Sequence, residues 1–155
     1  MAMKFGRLSD LVNKGKTLRN NRVLSYSFKT KAIQDFIIQL NTDEQLFNEG
    51  VDRTGEIVGY YGRYTEAINR GKTFGGKAKI AGEPYFFLDT GDLFNSFSVV
   101  VGTDSITIIA TDVEKLADVM ENPDLLVGLT DESKRELIKE ALPIIRDYII
   151  KHLLK

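Results

Sequence analysis

The sequence predicts an α+β fold: a small antiparallel sheet built on a central β-hairpin, packed by N-terminal and C-terminal helices, with a long Gly/Tyr-rich loop between them. Three observations carry this prediction. The apolar, β-branched runs Phe97 to Val101 and Ile106 to Ile109 flank Gly102-Thr103-Asp104-Ser105, a set of turn-forming residues. Segments toward both ends of the chain repeat apolar residues three and four apart, the spacing of one helical face. Eight of the thirteen glycines fall between Gly50 and Gly82, a density that disfavours regular structure there.

Taken in order, residues 5–21 place Leu8, Leu11, Val12 and Leu18 among their charges, a thin apolar stripe that suits a short helix or an arm that docks on a neighbour. Residues 1–29 are therefore assigned to a basic N-terminal arm and residues 30–155 to a single α+β domain. The first main helix runs from Thr30 to about Asn48 on Ile33, Phe36, Ile37, Leu40, Gln45, Leu46 and Phe47, with Thr30 as its cap, Gly50 as its stop and a kink expected near Asn41-Thr42. The glycine-rich loop comes next, interleaving Tyr60, Tyr61, Tyr64 and Phe74 with Arg53, Arg63, Arg70, Lys72, Lys77 and Lys79. A short helix over Tyr64 to Asn69, closed by Gly71, is its only regular element. Irregular loops of this length in compact domains usually serve a function or bind a partner.

Beyond the loop, Asp89 or Thr90 can cap a single helical turn, with Asp92 at the positive end of the helix dipole. Leu93, Phe94 and Phe97 share one side of that turn and plug it into the core, leaving Asn95 and Ser96 near the surface. After the hairpin come a short helix from about Val113 to Met120 and a Pro123-containing connection. The closing helix starts at Thr130 or Asp131 and runs to Leu154. Leu137, Ile138, Ala141, Leu142, Ile145, Tyr148, Ile149 and His152 or Leu153 form its broad apolar stripe, and Pro143 is expected to kink or interrupt it near Lys139.

The net charge of −1 conceals a division along the chain. Residues 1–31 carry eight bases and one acid, a local balance of +7, whereas Lys115 is the only base between Glu83 and Glu132. Such polarity favours contact between the basic arm of one subunit and the acidic body of the next, or an anionic partner. With no cysteine, disulfides, thiolate catalysis and cysteine-based zinc sites are excluded. No apolar run is long enough to span a bilayer and the amino terminus lacks a signal-peptide core, so the chain is expected to be soluble and unsecreted.

Catalytic constellations do not assemble. His152 is the only histidine and has no nucleophile motif beside it. Glu83, Asp89, Asp92, Asp104 and Asp112 flank the hairpin, but nothing in their spacing selects a pair for a magnesium ion, and caps and turns account for them. Gly71-Lys72-Thr73 matches the end of a phosphate-binding loop, but Glu66 stands where its first glycine belongs. The expectation is a non-enzyme without metal or cofactor. Arginines and lysines mixed with tyrosines in the loop, together with the basic terminus, make a small nucleic-acid-binding module the alternative. The acidic sequence pI of about 5.9 weighs against it.

The stretch Phe87-Leu88-Asp89-Thr90-Gly91-Asp92-Leu93-Phe94-Asn95-Ser96-Phe97, feeding directly into the hairpin, carries a family resemblance. A Thr-Gly-x-Leu-x-x-Ser-Phe/Ile turn before a short hairpin resembles the centre of the tail-completion, or virion-morphogenesis, proteins of tailed bacteriophages. Residues 47–59, with Gly50 and Gly55, are also similar to the segment after the first helix in that family. The Tyr-Ala-x-x-x-His-x-x-Gly segment of many members has only a loose counterpart here, Leu126-Val127-Gly128-Leu129. The resemblance implies a structural subunit of a virion, forming a ring at the neck, the head–tail connector or the tail end. Its partners would be further copies of itself, portal and tail proteins, and DNA passing through the channel, with no membrane. On this reading Leu88, Thr90, Gly91, Leu93, Phe94 and Phe97 form the core motif. Subunit or partner contacts are made by Lys4, Arg7, Lys14, Lys16, Arg19 and Arg22 of the arm and by Tyr60, Tyr61, Arg63, Tyr64, Lys72 and Phe74 of the loop.

Overall fold

A computed structural model describes residues 20–102, 105–117 and 120–153 of the 155-residue chain. The architecture is α+β, a two-stranded antiparallel hairpin with helices on its N-terminal and C-terminal sides. Helix α1 spans Asn20–Phe28 and α2 spans Lys31–Gln39, and α2 continues without a break into a wider π-helical segment, Leu40–Glu49. A short helix α3 (Arg63–Ile68) and a single turn α4 (Asp92–Asn95) precede strands β1 (Phe97–Val101) and β2 (Ile106–Ala110). Two 3₁₀ turns, Val113–Leu116 and Pro123–Leu126, lead into the long helix α5, Asp131–Leu153. Among the described residues no helix is long and apolar enough to cross a membrane.

The strands pair from Phe97 opposite Ala110 to Val101 opposite Ile106, and the Gly102 N–H donates to the Ser105 carbonyl across the turn. Alternation along the strands turns Phe97, Val99, Ile108 and Ala110 inward and leaves Ser98, Val100, Thr107 and Ile109 outward. The inner face serves two apolar clusters. One joins Phe28, Ile33, Ile37 and Leu40 to Leu129, Leu137 and Ala141; the other joins Leu46, Phe97, Ala110, Val113 and Leu126, and Ile108 reaches both. Ile33, Ile37 and Leu40 recur at intervals of four and three, so the face of α2 that periodicity selects is the buried one.

The kink expected near Asn41-Thr42 takes the form of a change of helix type. The Thr42 hydroxyl donates to the Ile38 carbonyl, 2.9 Å away, a bond that competes with the regular α-ladder. From there the helix widens, and the N–H of Gly50 closes it on the Gln45 carbonyl, five residues back. Gly50 stops it as expected, at φ +69°, with its Cα against Pro84 and the Tyr85 carbonyl, where a Cβ would collide with both.

Several local expectations are corrected. The body does not begin at residue 30, because Val23, Ser27 and Phe28 of α1 are buried and the Tyr26 ring lies 4.4 Å from that of Tyr148 on α5. Thr30 occupies the cap position of α2, but its hydroxyl donates to the Ser27 carbonyl and ties α2 back to α1. The cap position of α4 is held by Gly91, at φ +90°; Thr90, one residue before it, still accepts from the Asp92 N–H at 3.4 Å through its hydroxyl, while Asp89 is drawn away to Lys79. Helix α5 is capped by Thr130, whose hydroxyl accepts from the Ser133 N–H. It is not interrupted at Pro143, whose ring and Lys139, the residue left without a helical donor, both lie on the exposed side of the helix.

Candidate partner interface

The segment between the π-helix and the hairpin is held by aromatic packing instead of a ladder. Phe86 is its hub: the rings of Tyr61, Phe47 and Phe74 lie 5.3, 5.6 and 6.5 Å from it, and Tyr85 meets Tyr61 at 4.9 Å and Phe87 at 6.0 Å, mostly edge to face. Gly75, at φ +57°, passes so close to Phe47 and Leu88 that a Cβ would come within 2.8 Å of both. Isolated bridges, Val51 with Ile57 and Tyr60 with Pro84, pin the chain at intervals. Asp52, itself buried, accepts from the N–H groups of Thr54 and Glu56 and so folds the first turn of the segment.

This packing divides the residues that the sequence marks for partner contact. Tyr61 and Phe74 turn inward: Tyr61 is buried, and its hydroxyl accepts from the Phe86 N–H at 3.2 Å. Two loop cations are also used internally. Lys77 donates to the carbonyls of Phe47 and Asn48 at the end of the π-helix and sits 4.5 Å from the Phe47 ring, complementing the helix dipole. Lys79 pairs with Asp89 at 3.2 Å and lies 4.1 Å from the Phe74 ring. Left on the surface are Tyr60, Arg63, Tyr64, Arg70 and Lys72, with Ile57, Ile68 and Ile80 exposed in the same segment. Periodicity did not mark these isoleucines, because the segment lacks a repeat against which an apolar residue could be placed inside or outside. Lys4, Arg7, Lys14, Lys16 and Arg19 lie outside the described residues, as does the side chain of Arg22.

Within the core motif, Phe97 is buried while Leu88, Leu93 and Phe94 are half-buried, the last two against the second cluster. Thr90 donates from its hydroxyl to Asp92 at 2.7 Å. Ser96, expected at the surface, instead donates to the Leu93 carbonyl and accepts from the Asp112 N–H, tying the entry of β1 to the exit of β2. A cavity of about 210 Å³ opens between this motif and the loop, bounded by Tyr61, Lys79, Asp89, Asp92, Leu93 and Leu116. Phe87 borders it at φ +50°, an uncommon left-handed conformation for an aromatic residue. Of the hairpin-flanking acids, Asp104 lies outside the described residues; Asp89 pairs with Lys79, Asp92 with Thr90, and Asp112 with Lys115 at 2.8 Å, and among the described residues no group of three or more acids or histidines is placed to hold a metal ion. His152 places Nδ1 2.8 Å from the Tyr148 carbonyl and stacks on the Tyr148 ring at 3.9 Å, so it serves the end of α5.

Burial pushes the Tyr61 phenol above its usual value of 10.0, more than the hydrogen bond from Phe86 lowers it. The fold therefore favours the neutral phenol, and the unfolded chain loses this proton first. Stability from this group is complete at neutral pH and falls as pH rises past about 10. Tyr61→Phe should flatten that alkaline decline in denaturant unfolding, while costing about 1–3 kcal/mol at neutral pH because the Phe86 N–H loses its partner. An unchanged alkaline decline in the variant would remove Tyr61 as its source.

Comparison of the chain with protein-family models, curated protein sequences and solved structures finds no match to any of them.

Proposed function

We propose that the chain is a non-catalytic structural subunit of a bacteriophage virion, forming an oligomeric ring at the neck, the head–tail interface or the tail end. The observation that carries this reading is the turn Thr90-Gly91-Asp92-Leu93-Phe94-Asn95-Ser96-Phe97 running into the hairpin, the stretch that resembles the tail-completion proteins. Its polar members are engaged in scaffold bonds, Thr90 to Asp92 and Ser96 to Leu93 and Asp112, which suits a motif that shapes a subunit. A surface that mixes Tyr60, Tyr64, Ile68 and Ile80 with Arg63, Arg70 and Lys72 suits contacts with neighbouring subunits and with portal or tail proteins. The basic N-terminal segment fits the acidic stretch between Glu83 and Glu132 of the next copy.

Light scattering after size exclusion tests this, on the protein alone and mixed with neck or portal complexes. A closed ring, or a monomer that joins a ring only on the complex, is the expected result. Glutamate at Lys14, Lys16, Arg19 and Arg22 together should abolish that assembly and leave the circular dichroism spectrum unchanged; normal assembly by this variant would exclude the basic segment as an adhesive.

A second reading rests on the same exposed tyrosines and cations: Tyr60 and Tyr64 could stack on bases while Arg63, Arg70 and Lys72 neutralise phosphates, as in a small nucleic-acid-binding module. A monomer that ignores the complexes but binds DNA, with affinity that falls steeply with salt, would favour that reading.

A further inference from the structure

Helix α5 carries two apolar stripes where a peripheral helix needs one. The inward stripe is Ser133, Leu137, Ala141, Ile144 and Tyr148, buried or half-buried against α1, α2 and the first cluster. At about 100° per residue a second stripe, Ile138, Leu142, Ile145 and Ile149, lies roughly a quarter-turn away. Its spacings of four, three and four are those of a coiled-coil seam. Ile138 is 56% exposed and Leu142 54%, whereas Ile149 is half-buried and Ile145 half-buried against the first cluster, so the seam is open to solvent along its first half and rooted in the core along its second. Beyond it, on the side away from the core, stand Arg135, Lys139 and Arg146, all exposed and none in an ion pair among the described residues. Glu136, Glu140 and Asp147 fall on the opposite flank, whereas Asp131 and Glu132 of the first turn lie beside Arg135, so the uncompensated part of the basic edge is Lys139 and Arg146.

That one-sided charge selects the occupant. An antiparallel second copy would set Lys139 and Arg146 against the same residues of its partner, a like-charge contact. A parallel copy would need Ala141 and Tyr148 as flanking positions, and both are turned into the fold. The chain's own N-terminal segment, residues 1–19, carries five bases against Asp10 and has the wrong sign. We propose that the stripe Ile138, Leu142, Ile145 and Ile149 of α5, with its basic edge, is a docking surface for an acidic amphipathic helix of a partner protein. The partner lays its apolar seam along these four residues and sets its glutamates or aspartates against Lys139 and Arg146. This inference is independent of the ring reading.

The test titrates the full-length protein into a fluorescent peptide of about three heptads, with leucine and isoleucine at the seam positions and glutamate at both flanks, and reads anisotropy. The same peptide with lysine flanks is the control. The acidic peptide should bind roughly tenfold or more tightly than the basic one at low salt, with the preference shrinking as salt rises. Leu142→Glu should remove binding of the acidic peptide. Lys139→Glu with Arg146→Glu, at exposed positions that leave the core untouched, should invert the preference to the lysine peptide. Equal binding of the two peptides, no binding of either, or a preference that the double variant leaves in place would overturn the proposal. So would self-association of the protein alone that Leu142→Glu disrupts.

Discussion

Asn41→Ala is expected to lower the unfolding free energy by about 2–5 kcal/mol, the cost of stranding two buried backbone groups. The Asn41 amide donates to the Leu126 carbonyl at 2.9 Å, and its oxygen accepts from the Gly128 N–H at 2.8 Å. One turn further on, Gln45 donates to the Gly128 carbonyl at 3.0 Å and accepts from the Thr130 N–H at 2.9 Å. Two side-chain amides thus read the connection before α5 as a neighbouring strand would, and both are almost completely buried. Removing Asn41 leaves Leu126 and Gly128 without those partners in a site where water has little room. Because Gly128 is shared, Asn41→Ala and Gln45→Ala should be non-additive, the double variant losing measurably less than the sum. Denaturant unfolding of the four proteins at matched pH measures this, and a loss below about 1 kcal/mol for Asn41→Ala would show that the connection finds other partners.

This clasp explains much about which parts of the fold the sequence makes legible. Elements whose partners lie close in the chain, or whose burial follows a period, can be read directly: the hairpin register follows from alternation on either side of Gly102 to Ser105, and α2 and α5 from apolar residues three and four apart. The π-helical turn is different. Gln45 falls on the apolar stripe of the first helix, and a polar amide on a buried face signals a long-range partner, but the partner is backbone more than eighty residues away and carries no side-chain signature. Likewise Thr90 looks like a cap in one dimension. Gly91, in a left-handed conformation, takes the cap position one residue later, and the Thr90 hydroxyl accepts only from the first free N–H, that of Asp92, at 3.4 Å.

In the glycine-rich segment the same limit separates residues of one type. Tyr60, Tyr61 and Tyr64 are indistinguishable by composition, yet Tyr61 is buried and Tyr64 is 78% exposed. The deciding feature is Tyr85-Phe86-Phe87, a run of aromatics some twenty-five residues on that supplies the hub for Tyr61 and leaves none for Tyr64. Lys77 and Lys79 show the converse: on charge alone they belong with Arg63 and Lys72 as contact residues, but carbonyls of the π-helix and the Asp89 carboxylate claim them. The candidate interface is therefore smaller than composition suggests, and its aromatic support, not its charge, is what holds it in place.

Phe97→Ala should cost about 3–5 kcal/mol, and Phe94→Ala about half as much, although sequence spacing makes the two equivalent. Leu93, Phe94 and Phe97 share one side of the capped turn, which reads as three equal plugs. The turn ends at Asn95, however, and Phe97 begins β1, so its ring follows strand geometry into the cluster of Leu46, Ala110, Val113 and Leu126. Phe97 is 6% exposed, whereas Phe94 stays half-buried at the margin of the same cluster. Truncating Phe97 opens a cavity among residues fixed by the hairpin and by two 3₁₀ turns, none of which can readily collapse into it. Truncating Phe94 removes contacts on one side only, and solvent fills the rest at little cost. Chemical denaturation of the two variants at equal ionic strength distinguishes these cases. Equal losses would mean that the turn packs as deeply as the strand, and would return Phe94 to the core position that helical spacing alone assigns it.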